Sequence, residues 1–179
     1  MTAYRRALDP PAGDFVVLGD ALASTAVEYS RTSPRKRVIL PFHKRDDDPL
    51  HRMLNAVQPG SYVQPHRHLS PPKAEVFIVL RGALALFVFE DDGRIRRCLR
   101  LAAGGESFGI DLAPGLYHSL FALEPDTLLY EVKCGPYAPA TAKDFAPWAP
   151  AEGAPEAQRY LEELQAAFAR MAVSATAAT

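Results

Sequence analysis

Cysteine is nearly absent from this 179-residue chain, and its two examples, Cys98 and Cys134, stand far apart. They are too few and too isolated for a disulfide framework or a thiolate metal site. Read as reduced packing residues within or at the ends of strands, they suit a cytoplasmic protein. A charge excess is also missing. The formal net charge of −1 projects no long-range field toward nucleic acid or a membrane surface. Aromatic residues do not interleave with basic ones as a single-strand platform requires. No apolar run approaches the roughly 20 residues that span a bilayer. The opening residues run from Met1 through Arg5-Arg6 into Asp9-Pro10-Pro11 rather than into an apolar core, so no signal peptide is expected. Internal repeats are lacking too.

What is present reads as one mainly β domain. Residues 1–32 form an arm and a short helix over 21–30, with Asp20 as its cap and Pro34 beyond its end. Val38-Ile39-Leu40 follows as an edge strand. From 51 to 133 the pattern is β throughout. Arg52–Val57, Tyr62–His68, Val76–Leu80, Ala83–Glu90, Arg94–Leu101, Ser107–Leu112, Tyr117–Leu123 and Leu128–Lys133 are separated by Gly, Pro or Asp clusters. Such spacing predicts an antiparallel sandwich or barrel over 33–134. Asp91-Asp92-Gly93 and Glu124-Pro125-Asp126 are turns. Residues 135–172 comprise a proline-rich strap, pinned by Tyr137, Phe145 and Trp148, and a helix from 155 to 171. That helix has an apolar face of Ala157, Tyr160, Leu161, Leu164, Phe168 and Met171. Residues 173–179 are expected to fray.

The chemistry concentrates in histidines. His66 and His68 stand one residue apart, and in a strand positions i and i+2 share a face about 6.5–7 Å apart. Two imidazoles so placed can tilt onto one ion at roughly 2.0–2.1 Å. Glu75, opening the next strand, can supply a third ligand, and His118, after the Pro114-Gly115 turn, a fourth. Each has a plainer reading: exposed strand histidines, a surface carboxylate, a core histidine bonded to a carbonyl. A lone His-x-His is common by chance; the set with its glycines in a β context is not. His43 and His51 have no ligand-like partners and read as surface residues.

Gly60, His66-Arg67-His68, Glu75 and Gly82 together resemble the first cupin motif, and Gly109 with Pro114-Gly115-Leu116-Tyr117-His118 resembles the second. Six residues separate His68 from Glu75 where three or four are usual, and no Asn lies four residues after His118. Asn55 to His68, Val79 to Leu84, Glu131-Val132-Lys133, and Asp144 to Pro150 look like the WbuC family of cupin-fold metalloproteins. The likeness covers roughly residues 33–165. It implies a jelly-roll cupin barrel, one bound metal, a bacterial host and a link to surface polysaccharide gene clusters, but no settled reaction.

Imidazole ligands suit Fe, Mn, Ni, Zn and Cu alike, so the donor set names one divalent transition metal without choosing it. With open positions the ion could polarise a carbonyl or hydroxyl, activate water or bind dioxygen. Isomerase, lyase and dioxygenase chemistry therefore stay open, beside a non-catalytic carbohydrate or small-ligand module and a metal-free acid–base barrel. Strand alternation puts Tyr62 and Gln64 beside the histidines as candidate catalytic groups, Tyr62 as acid or donor and Gln64 as ligand contact or histidine orienter. The same-face sets Phe77, Val79, Arg81 and Leu116, Leu120, Ala122 predict an apolar cavity, with Arg81, near the far end of its strand, reaching solvent or a carboxylate. Arg35-Lys36-Arg37 and Arg94, Arg96, Arg97, Arg100 could receive an anionic or sugar-derived substrate such as a nucleotide sugar, or be solvated faces. Sheet edges make a homodimer the expected assembly.

Overall fold

The computed structural model describes residues 5–138 and 143–176. In chain order the elements are α1 (Asp20–Thr32), β1 (Arg37–Pro41), β2 (Leu50–Val57), β3 (His66–Arg67), β4 (Glu75–Arg81), β5 (Ala83–Phe89), β6 (Ile95–Ala102), β7 (Gly109–Leu112), β8 (Tyr117–Ala122), β9 (Thr127–Cys134), β10 (Asp144–Phe145) and α2 (Ala157–Thr176). One five-stranded sheet has the order β1-β2-β9-β4-β7 and the other β10-β3-β8-β5-β6. Every pairing between these strands is antiparallel. The chain passes repeatedly from one sheet to the other, which is the double Greek key of a jelly roll. The mainly β antiparallel barrel with terminal helices is the expected fold.

Period-two alternation sorts side chains into three apolar layers. Between the sheets, Val57, Phe77, Val79 and Leu129 of the first meet Leu84, Leu86, Leu101 and Leu120 of the second. On the outer face of the first sheet, Leu54, Ala56 and Leu128 pack against Ala23, Ala26 and Val27 of α1 and Leu8 of the arm. On the outer face of the second, Ala85, Phe87, Phe89 and Phe121 pack against Leu161, Leu164 and Ala167 of α2. Strand β5 is therefore covered on both faces, and all seven of its residues are buried. That is why Ala83–Phe89 reads as an unbroken apolar run rather than an alternating one.

Two glycines fix the turns that set this geometry. Gly82 takes φ +70° between β4 and β5, and a Cβ there would stand 2.6 Å from Thr127 Oγ1. Gly93 takes φ +90° in the β5–β6 hairpin, where a Cβ would meet Trp148 Cδ2 at 2.9 Å. Both conformations cost an L-residue with a side chain dearly.

The structure departs from expectation at several points. The expected strand Tyr62–His68 shrinks to His66–Arg67. Pro65 has no N–H to give a ladder, and side chains take the nearby carbonyls: Arg37 Nη1 donates to Tyr62 O at 2.8 Å and Ser119 Oγ to Val63 O at 2.6 Å. The strap contributes β10, an unforeseen strand. Helix α1 is capped by Gly19, with Asp20 its first residue and no side-chain cap. Trp148 does pin the strap, lying 5.0 Å from Phe89 and donating Nε1 to Asp91 O at 3.0 Å. Tyr137 and Phe145 remain exposed. Met171 is exposed too, off the buried face of α2, and that helix persists to Thr176 where fraying was expected from 173; residues 177–179 of the tail lie outside the described residues. Cys98 packs against the outer layer, where burial pushes its thiol up to about 11, whereas Cys134 is exposed at the end of β9 rather than packed. Among the described residues no helix is long and apolar enough to cross a membrane.

If α2 seals the second sheet as described, Phe87→Ala should lower the unfolding free energy by about 3–5 kcal/mol in a denaturant titration. A loss under about 1 kcal/mol would contradict the doubly covered β5.

Candidate metal centre

Sheet register brings the histidines together. His66 pairs directly with His118 across β3 and β8, so both side chains share the barrel-facing side. Their ring centroids are 4.6 Å apart. Each ring is locked from behind: His66 Nδ1 donates to Gln64 O at 2.9 Å, and His118 Nδ1 donates to Leu116 O at 3.0 Å. A carbonyl can only accept, so Nδ1 carries the hydrogen and the Nε2 lone pair is left for an ion. His68 follows on the same side, with its ring 5.3 Å from that of His66.

Glu75 arrives from the opposite sheet. The long connection before it closes on itself: Leu69 bridges Pro72, and Lys73 N and Gly115 N donate to His68 O at 3.4 and 3.3 Å. The extra residues are taken up there, and the carboxylate still meets the imidazoles. Glu75 Oε2 lies 3.0 Å from His118 Nε2 and 3.3 Å from His68 Nε2. One ligand atom from each of His66, His68, Glu75 and His118 falls within 4.8 Å of the others, and all four residues are buried.

These donors fit a cation. Glu75 Oε2 and His118 Nε2 are buried yet make no hydrogen bond, an arrangement that costs free energy unless another group satisfies them. Burial, with the Lys143 charge, pulls the His66 pKa well below its usual value. A neutral imidazole is the form that coordinates.

A second layer of polar residues supports Glu75, and sequence reasoning missed it. Lys133 on β9 pairs across from Glu75 on β4, and its Nζ lies 3.3 Å from Glu75 Oε1. The same ammonium donates to Glu131 Oε1 at 2.5 Å, and Asn55 Nδ2 donates to Glu131 Oε2 at 2.8 Å. One lysine thus serves two buried carboxylates. Burial opposes the charge on Glu75, but the Lys133 ammonium holds it well below the usual carboxylate range. Burial pushes Glu131 upward, and Glu75 adds to this against the pull of Lys133. Burial also works against the Lys133 charge, yet Glu131 and Glu75 outweigh it and raise its pKa. The signal was available: Glu131 and Lys133 share the inward parity of Leu129.

Other expected site residues lie elsewhere. The alternation that placed Tyr62 and Gln64 beside the histidines fails because 61–65 is not strand. Tyr62 packs in the outer layer against Tyr160, with its hydroxyl donating to Pro150 O at 2.8 Å. Gln64 Oε1 accepts from Glu152 N at 3.3 Å, and only its backbone carbonyl reaches a histidine. Phe77, Val79, Leu120 and Ala122 do face the interior, with Leu116 packed against them. Arg81 turns out past a β-bulge to the Asp20 carboxylate, the kind of partner expected for it. His51 is buried, not superficial: it has the inward parity of β2, stacks on half-buried His43 at 3.9 Å, and binds Asp46 O through Nε2.

The basic clusters are largely engaged. Arg35 Nε and Arg37 Nη2 bind Glu152 at 2.5 and 2.7 Å. Arg94 pairs with Asp92 and Arg100 with Glu124 at the surface. Burial works against the Glu152 charge, but its bonds to Arg35 and the charges on Arg37 and Arg35 hold its carboxyl below the usual 4.5.

The family described as "Domain of unknown function (DUF6016)" matches residues 18–101. No curated protein matches the chain. Among solved structures it is similar to oxalate decarboxylase from Bacillus subtilis, with a TM-score of 0.45 and 20% identity over 55% of this chain and 24% of that one. It is also similar to an oxalate oxidase in complex with the substrate analogue glycolate, at TM-score 0.49 and 15% identity over 65% and 58%. A conserved protein of unknown function from Streptococcus pyogenes gives 0.44 and 19% over 59% and 80%. The chain spans about a quarter of the length of the oxalate decarboxylase.

Lys133→Met is expected to weaken metal binding about 10–100-fold in a calorimetric titration; unchanged or tighter binding would show that Lys133 does not position Glu75. Glu152 has a lowered folded pKa, so its stabilisation is present above 4.5 and lost as pH falls through the folded value. Glu152→Gln should therefore flatten the acid limb of stability against pH below about 4.5 in denaturant unfolding. An unaltered acid limb would contradict the Arg35–Glu152–Arg37 assignment.

Proposed function

We propose that this chain is a mononuclear metal-binding protein of the cupin type, with His66, His68, Glu75 and His118 as ligands, acting on a small metabolite. The observation that carries this reading is the convergence of four buried donor atoms from both sheets within 4.8 Å. When bound, a divalent transition metal would supply Lewis-acid polarisation of a coordinated oxygen or activation of water. The chain's own residues do the rest. Gln64 O and Leu116 O fix the rings, Lys133 keeps Glu75 ionised and oriented, and Phe77, 6.2 Å from the His118 ring, makes the surroundings apolar. Water exclusion there strengthens every charge interaction.

The resemblance to the WbuC family supports a finer reading: a cytoplasmic protein whose substrate is sugar-derived and linked to surface polysaccharide. A non-catalytic ligand-binding module is the second reading. It is favoured by the engagement of the Tyr62 hydroxyl with Pro150 O, which removes the expected acid from the site.

Protein purified without a metal-affinity tag should contain one divalent ion per chain by elemental analysis, and His118→Ala should lose most of it. Turnover within a panel of nucleotide sugars, followed with and without oxygen uptake, then separates enzyme from binder. A wild-type chain that neither retains nor rebinds any divalent ion would overturn the reading.

A further inference from the structure

The short strand β10 ties the strap to the metal centre. Phe145 pairs directly with His66 and Asp144 with Arg67, and the segment is pinned by Leu69 N to Asp144 Oδ2 at 3.0 Å and Ala146 N to Pro65 O at 2.9 Å. Residues directly opposite in an antiparallel pair share a face, and so do residues two apart. Phe145 therefore lies on the His66 side, its ring 6.2 Å from that imidazole, while Ala146 is buried in the outer layer. Lys143, two residues before Phe145, shares the Phe145 side, level with His68 if the register is carried on by one step.

The Lys143 charge acts on His66, and Lys133, Glu75 and Glu131 act on Lys143. Those two carboxylates are already bound by Lys133. Among the described residues, none forms an ion pair with Lys143. Burial and the Lys133 charge push its pKa down, while the residue as a whole is exposed. Phe145 is likewise 53% exposed beside a buried histidine. Lys143, immediately before the pinned strand, and Phe145 on it are thus both exposed residues beside the ligand His66.

We propose that Lys143 and Phe145 form the outer half of the substrate site and bind a small organic monoanion. Its carboxylate meets the Lys143 ammonium, its carbon skeleton lies against Phe145, and an oxygen reaches the ion. This rests on the metal-binding reading above. One ammonium without an ion-pair partner among the described residues matches one negative charge, and a charge-assisted contact is a strong one.

The test uses full-length protein loaded with Mn(II), with acetate and its neutral analogue acetamide as probes and water-proton relaxation as the readout. Mn(II) affinity should be the same in wild type, Lys143→Met and Lys143→Arg. Acetate should bind Lys143→Met about tenfold more weakly than wild type, Lys143→Arg should stay within about threefold, and acetamide should show no dependence on residue 143. Equal acetate affinity in wild type and Lys143→Met, or no acetate binding to wild type holding its ion, would overturn this inference and leave the metal centre standing. Failure of wild type to take up Mn(II) or any other divalent ion overturns the metal centre and this inference with it.

Discussion

A carboxylate buried in the middle of an apolar barrel is the constraint around which this structure is arranged. Glu75 is 3% exposed, and an isolated ionised carboxylate at such depth would cost many kcal/mol. The fold answers from two sides. Lys133, one strand away in the same sheet, holds one oxygen, while His68 and His118 of the opposite sheet face the other. A divalent ion among the Nε2 atoms would complete that balance, since the second oxygen meets no hydrogen-bond donor of its own.

The rest of the architecture can be understood as keeping those groups in place. Three apolar layers hold the two sheets at fixed separation, so donors on β3, β4 and β8 meet, with His68 immediately past the end of β3. The strap does structural work at both ends: Trp148 covers the β5–β6 hairpin, and Asp144-Phe145 extends the second sheet beside His66. Glu152, beyond the strap's last proline but one, gathers Arg35 and Arg37 and so fastens the first strand to the C-terminal segment. Preorganisation of this kind, with the His66 and His118 rings each fixed by a carbonyl behind them, is what a metal site requires of its protein.

Much of this was legible in the chain itself. The alternation around Phe77, Val79, Leu120 and Ala122 gave the barrel and its inner face, and His66-x-His68 with Glu75 and His118 gave the donor cluster. Where reading failed, the causes are physical. Tyr62 and Gln64 were placed by extending strand parity through Pro65, which cannot join a ladder, so both side chains lie away from the ion site. His51 looked superficial because it has no ligand-like partner nearby in the chain, but β2 turns it inward. Asn55, Glu131 and Lys133 drew no notice as chemistry because their roles depend on which strands become neighbours, and β2-β9-β4 adjacency is a matter of topology rather than of local sequence. The six residues between His68 and Glu75 are accommodated by closure of that loop on itself, which depends on contacts formed only in the fold.

The central claim is that three imidazoles and one carboxylate converge on a single ion. X-ray absorption at the metal edge of the loaded protein tests it most directly. The account predicts a nitrogen and oxygen shell at about 2.0–2.2 Å, with outer-shell scattering from three imidazole rings that falls to two in His118→Ala. A spectrum without imidazole scattering, or one that His118→Ala leaves unaltered, would contradict it.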